Sequence, residues 1–218
     1  MTGLTGVLQA DPARGARLLL TERDALLPLL RQAPEDAFGR PTACPGWSVR
    51  DVLAHCSSAL TRAAEGTLHA FTPALNEADV AERRGWPLAD VLAEVERGYT
   101  SAGPVITAAA PRLDGLALGE WVHGGDVRDA LRAPGAYASE GFADACVLLA
   151  GRARARKVPL VEVTLPGAAL ALGVVVDGRP PAVLRAAGGA LFRLYAGRPA
   201  DPASYELTWA EPAELVIF

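Results

Sequence analysis

The apolar pattern of this chain changes period at Pro159, and that break constrains the fold more than any single motif. Upstream, apolar residues recur at helical spacing. Leu19, Leu26 and Leu30, with Leu20 and Leu27 beside them, predict a helix over 12–33, with Pro28 as a point of kinking. A second helix opens with a capping box, Ser48 and Asp51, and a hydrophobic staple from Trp47 to Val52. Its apolar face runs through Val49, Val52, Leu53, Cys56, Leu60 and Ala63. Further helices are expected over 88–109, interrupted at Gly103-Pro104, over 113–132, and over 139–156.

Downstream of Pro159 the pattern alternates. Residues 160–165 and 170–176 read as strands joined by a Pro166-Gly167 turn. Residues 181–197 read as an Ala- and Leu-rich helix, and 205–208 and 215–218 as closing strands. The expected fold class is therefore α+β, with a helical domain over 1–155, a small α+β domain over 156–218, and a hinge at Arg152–Lys157.

The chain carries 21 basic and 25 acidic side chains, a net charge of -4, which argues against a nucleic-acid backbone as the main partner. No apolar run reaches the roughly 20 residues of a membrane span. No secretory pattern opens the chain, and three cysteines, Cys44, Cys56 and Cys146, form no framework, so a reduced cytoplasmic protein is expected. Cys56 lies on an apolar face; Cys44, in the loop before Pro45-Gly46-Trp47, is a weak candidate nucleophile.

Three histidines occur. His55 sits at the edge of the second helix's apolar stripe. On the fourth helix, Leu116, Glu120, His123, Val127 and Leu131 form one inward stripe in which two positions are polar. A buried carboxylate wants a cation or metal, and Glu-x-x-His is a way helical bundles present ligands from one face. The competing reading is a Glu and a His that bond each other or reach solvent. His69 reads as a surface group near a helix end. Phosphate-loop and serine-elbow motifs are absent.

The segment Thr42-Ala43-Cys44-Pro45-Gly46-Trp47-Ser48-Val49-Arg50-Asp51-Val52-Leu53-Ala54-His55 resembles a signature of the mycothiol-dependent maleylpyruvate isomerase family, within the DinB/YfiT-like metal-binding four-helix bundles. Gly119 to Arg128 resembles its second signature. Residues 191–198 and 205–208 are similar to its C-terminal domain, which resembles sterol-carrier proteins. The resemblance implies a divalent metal, zinc or alternatively nickel, held by His55, Glu120 and His123 with an open position. The family spaces its Glu and second His at i, i+4, against i, i+3 here, so Asp126 is an alternative ligand or an imidazole partner. It also implies a low-molecular-weight thiol that adds reversibly to an activated double bond, and Arg198 as a residue that holds a substrate carboxylate. The expected activity is a metal- and thiol-dependent isomerase or transferase acting on a small electrophile, as a monomer or homodimer. The alternative is a non-catalytic small-molecule-binding protein.

Overall fold

The computed structural model describes residues 11–68 and 71–218, and His69 lies outside them. Its residues gather into two compact units, Pro12–Gly141 and a second one containing Phe142–Phe218. The first is helical and the second mixes helices with a four-stranded sheet, so the chain is α+β.

In the first unit α1 (Arg14–Gln32), α2 (Val49–Glu65), α4 (Leu88–Ala109) and α5 (Asp114–Ala130) enclose one core, α1 and α2 each packing on both α4 and α5. Leu18, Leu19, Leu26, Leu27 and Leu30 of α1 are buried, whereas Leu20 is exposed, the single departure from its expected stripe. Pro28 and Pro104 both lie inside continuous helices, so neither the expected kink nor the break at Gly103-Pro104 ends an element. An internal proline costs about 3 kcal/mol. Burial of Leu26, Leu27 and Leu30 around the first, and of Ala102, Gly103 and Ile106 around the second, opposes that cost.

The start of α2 is as the sequence predicts: the Ser48 hydroxyl accepts from the Asp51 amide, and Asp51 accepts from the Ser48 amide. Every residue from Val52 to Leu60 is buried. α5 is buried on nearly all sides, not along one stripe, because Leu116–Leu118, Glu120–Val122 and Gly124–Arg128 are all covered.

One helix was not foreseen. α3 (Pro73–Arg83) begins with Thr72 accepting from the Leu75 amide and a proline in the first turn. Two ion pairs tie it down. Arg62 of α2 binds Asp79, and Arg83 grips Glu94 of α4 with Nε–Oε2 at 2.6 Å and Nη2–Oε1 at 2.9 Å. Ser57 of α2 donates to the same carboxylate at 2.7 Å. Arg83 and Glu94 side chains are each 7% exposed. Arg83→Ala would leave that carboxylate buried without its cation, a loss of about 3–5 kcal/mol. Urea unfolding should show it, and a change within about 0.5 kcal/mol would contradict the assignment.

In the second unit α6 (Phe142–Ala155) packs on the sheet, burying Ala145, Cys146, Leu148, Leu149 and Ala153. The units accordingly divide before this helix, at 141/142, whereas the sequence reading placed the boundary after it at 155/156. Of the expected hinge residues, 152–155 are the last turn of α6 and Arg156-Lys157 the turn that follows it, with Lys157 at φ 56°. The sheet order is β2-β1-β3-β4. β1 (Val161–Leu165) and β2 (Ala168–Leu172) are an antiparallel hairpin, Val163 opposite Leu170. β3 (Ala182–Ala186) runs parallel to β1, and β4 (Tyr205–Thr208) antiparallel to β3. The expected helix over 181–197 is thus a strand followed by a shorter helix, α7 (Gly188–Tyr195), with Gly188 and Gly189 opening the helix. The expected last strand over 215–218 is instead the end of a 3₁₀ turn, Pro212–Leu215, and an extended tail that includes a bond from the Ile217 amide to the Tyr195 carbonyl.

Candidate metal centre

The candidate site lies where α2, α5 and the loop before α2 meet. α2 carries His55 and α5 carries His123, and their ring centroids are 5.2 Å apart in an edge-on arrangement. The capping box fixes where α2 begins, and so where His55, two turns in, comes to rest. Trp47, directly before the cap, covers the pair at 5.0 Å from His55 and 6.3 Å from His123. Its indole N–H donates to Glu77 of α3 at 2.6 Å, so the unforeseen helix holds the site's aromatic wall. The indole faces the imidazoles, and no staple to Val52 is needed to explain its place.

His55 is 5% exposed and its Nδ1 has no hydrogen-bond partner. Burial, and then the neighbouring His123, lower its pKa to about 3, so it stays neutral and keeps a lone pair. His123 is less covered, its side chain 15% exposed, with Nδ1 at 3.0 Å from Asp126 Oδ2. The other Asp126 oxygen accepts from the Tyr137 hydroxyl. That chain, Tyr137 to Asp126 to His123, fixes the imidazole by the orienting contact that metal-binding histidines commonly make.

Glu120 is 1% exposed with Oε2 unpartnered. Burial raises its pKa to about 8; the Cys56 thiol bonded to it partly offsets this, and the Glu22 charge adds to it. Cys56 in turn is pushed well above its ordinary value, chiefly by burial, so it is an inert thiol. Behind Glu120, Glu22 of α1 and Arg128 of α5 pair at 2.6 Å in the core. Burial raises Glu22 to about 7 despite the arginine.

Among the described residues, one group of three donors has its ligand atoms within 4.8 Å of one another: Cys44, His123 and Asp126. His55 and Glu120 lie outside that tight group. Sequence reasoning had paired His55, His123, Glu120 and Asp126; it had left Cys44 without a partner and had not considered Tyr137. Neither falls on a helical repeat. One signal was present: Gly124-Gly125 inside a helix costs roughly 1 kcal/mol per residue and points to something packed close. A Cβ at Gly125 would meet the Tyr137 ring at 2.5 Å, and one at Gly124 would meet Glu22 Oε1 at 1.8 Å. Arg198 follows α7 in the other unit, half-buried, with Nη1 donating to the Ala196 carbonyl at 3.2 Å.

These shifts predict how the metal-free protein responds to pH. Glu120 holds its proton to about pH 8 folded but only to 4.5 unfolded, so stability falls as pH rises from 4.5 toward 8. Glu22 adds to that loss up to about 7. His55 acts on the acid side: the unfolded chain takes the proton near 6.5 and the folded one near 3, so stability falls as pH drops through that window. Two carboxyls oppose one imidazole above 4.5, so the metal-free melting temperature should peak near pH 4.5 and fall toward 8. A melting temperature that climbs from 6.5 to 8 would contradict these assignments.

Comparison with known proteins bears on this constellation. The family described as mycothiol maleylpyruvate isomerase N-terminal domain matches residues 19–140. That match ends one residue before the helical unit does. Two solved structures are similar over 97% of this chain and 97% of theirs. One is a mycothiol-dependent maleylpyruvate isomerase, 15% identical with a TM-score of 0.57. The other is a point mutant of a mycothiol-dependent maleylpyruvate isomerase, 14% identical with a TM-score of 0.56. At such identities the likeness is one of fold. Among curated proteins none matches. No helix of the described residues is long and apolar enough to cross a membrane.

Proposed function

The chain belongs to the mycothiol maleylpyruvate isomerase N-terminal domain family, and we propose that it is a metal- and thiol-dependent isomerase or transferase acting on a small electrophilic substrate. The observation that carries this reading is the pair of imidazoles 5.2 Å apart, one of which, His55, is buried with Nδ1 unpartnered. An orphaned buried polar atom is costly, and a divalent cation is a partner that would satisfy it; Glu120 Oε2, on the same helix as His123, is a second such atom. The donor set of nitrogen with carboxylate suits zinc, and nickel accepts the same ligands.

In this reading His55, Glu120 and His123 hold the metal. Asp126 orients His123 through Nδ1, leaving Nε2 as the coordinating nitrogen, so Asp126 is a positioning residue. Bound zinc supplies a lowered pKa for a thiol at neutral pH. The chain's own residues supply the rest. His55 stays unprotonated across the physiological range, and Trp47 shields the imidazole pair from water. Glu120, protonated at neutral pH by its burial, would have to release that proton to serve as a ligand. A thiolate then forms a bond to one carbon of a conjugated double bond, the π pair moves to the adjoining carbonyl, and the freed single bond rotates. Reversal expels the thiolate and restores the double bond in the other geometry.

Arg198 is proposed, from the sequence resemblance, to bind a substrate carboxylate. Arg198→Lys should raise KM about tenfold or more with little change in kcat, since the bidentate fork is lost. Equal KM values would remove it from the site.

The test of the function is an assay of cis-trans isomerisation of maleylpyruvate with mycothiol, with and without a chelator. Turnover that needs both thiol and metal supports the proposal. Binding of the substrate without turnover, in protein carrying its metal, would favour the binding-protein alternative.

A further inference from the structure

We infer that Cys44 supplies a sulfur ligand to the metal proposed above, an assignment that rests on that reading. The sulfur is one of the three donors gathered within 4.8 Å, with His123 and Asp126. Asp126 is already committed, one oxygen to His123 Nδ1 at 3.0 Å and the other to the Tyr137 hydroxyl. Cys44 and His123 are the sulfur and nitrogen donors of that group. A second observation points to a ligand next to this group: His55, 5% exposed and stacked edge-on 5.2 Å from His123, keeps Nδ1 without a partner.

The loop presents the thiol on a fixed backbone. The Thr42 amide and hydroxyl both donate to the Trp47 carbonyl, at 3.0 and 2.9 Å. The Trp47 amide donates to the Cys44 carbonyl at 3.2 Å, and the Cys44 amide to the Thr42 hydroxyl at 3.2 Å. Little order is therefore lost when the sulfur binds. Zinc lies about 2.3 Å from sulfur and about 2.0–2.1 Å from nitrogen, so two such donors on one ion sit within about 4.4 Å of each other. The observed group, within 4.8 Å, is close to that limit. The other cysteines do not compete: Cys56 is 2% exposed and bonded to Glu120, and Cys146 is 3% exposed in the C-terminal unit. The chemistry is consistent, since zinc favours nitrogen and sulfur donors and deprotonates a coordinating thiol.

The test loads the full chain with cobalt(II), which reports its ligands by colour. Coordination through Cys44 gives a near-ultraviolet sulfur-to-cobalt charge-transfer band together with visible ligand-field bands. In Cys44→Ser the charge-transfer band is lost, the visible bands persist at high cobalt, and affinity drops by more than about 100-fold, beyond what loss of an orienting partner produces. Visible bands without the charge-transfer band in the wild type, and equal affinity in Cys44→Ser, would overturn the assignment of Cys44 while leaving the histidine site standing. No cobalt binding by the wild type would sink both. A second measurement needs no substitution: zinc should slow alkylation of Cys44 in the native chain, read by peptide mass. Alkylation at the same rate with and without bound zinc overturns the inference.

Discussion

Replacing His123 by alanine is expected to remove the bound metal, and with it thiol-dependent turnover, while the helical unit stays folded. The side chain is 15% exposed, so truncation opens no sealed cavity. Asp126 keeps its bond from Tyr137, and the apolar packing of α5 through Leu116, Leu118, Trp121 and Val127 is untouched. The loss of melting temperature without metal should therefore be small, equivalent to about 1 kcal/mol. The loss of affinity should be large, because a primary ligand is gone and its neighbour His55 cannot hold the ion alone. If His123 were only a structural partner of Asp126, the pattern would invert: less stability, and the same metal content in both proteins. His123→Ala that retains the wild-type metal would refute the ligand assignment.

The second large effect lies one residue on. Gly124→Ala is expected to destabilise the chain by about 3 kcal/mol or more, although alanine is the better helix former by about 1 kcal/mol. The new methyl would sit 1.8 Å from Glu22 Oε1 and 3.1 Å from Arg128 Nη1. Glu22 is fully buried and its arginine nearly so, which leaves neither group room to retreat without breaking the pair. Breaking a buried pair costs about 3–5 kcal/mol, which outweighs the propensity gain. Thermal unfolding decides the sign: a higher melting temperature in Gly124→Ala would show that the pair does not press on this helix.

The same glycine illustrates how far the sequence could be read. Periodicity located α1, α2, α4 and α5, and the capping box placed the start of α2, because those signals are local and repeat along one chain segment. His55 and His123 were legible because each sits on a patterned helix. β3 was not: Ala182–Ala186 favours helix by composition, and only pairing with β1 and β4 makes it a strand. α3 carried its signals, Thr72 and Pro73, but its face is fixed by ion pairs to Asp79 and Arg83, which no apolar period reveals. Cys44 reaches the site from a loop far from α5 in sequence, and Tyr137 from the irregular turn just after α5, neither on a helical repeat. Gly124-Gly125 was the one local trace of that crowding.

The reading of the site also fixes the order of its parts. Trp47 is held by Glu77 of α3, His123 is oriented by Asp126 of its own helix, and Asp126 is held by Tyr137 from the turn after α5. The i, i+3 spacing of Glu120 and His123 leaves the carboxyl buried beside Cys56. If Glu120 ligates as proposed, binding below about pH 8 would displace the proton it carries there, and affinity should rise with pH up to that point.

The most direct measurement is metal content of the purified chain beside His55→Ala and His123→Ala, each after equilibration with zinc and removal of excess. About one equivalent is expected in the wild type and almost none in either variant, with all three folded. Wild-type protein that binds no zinc or nickel, or three proteins that carry the same amount, would contradict it.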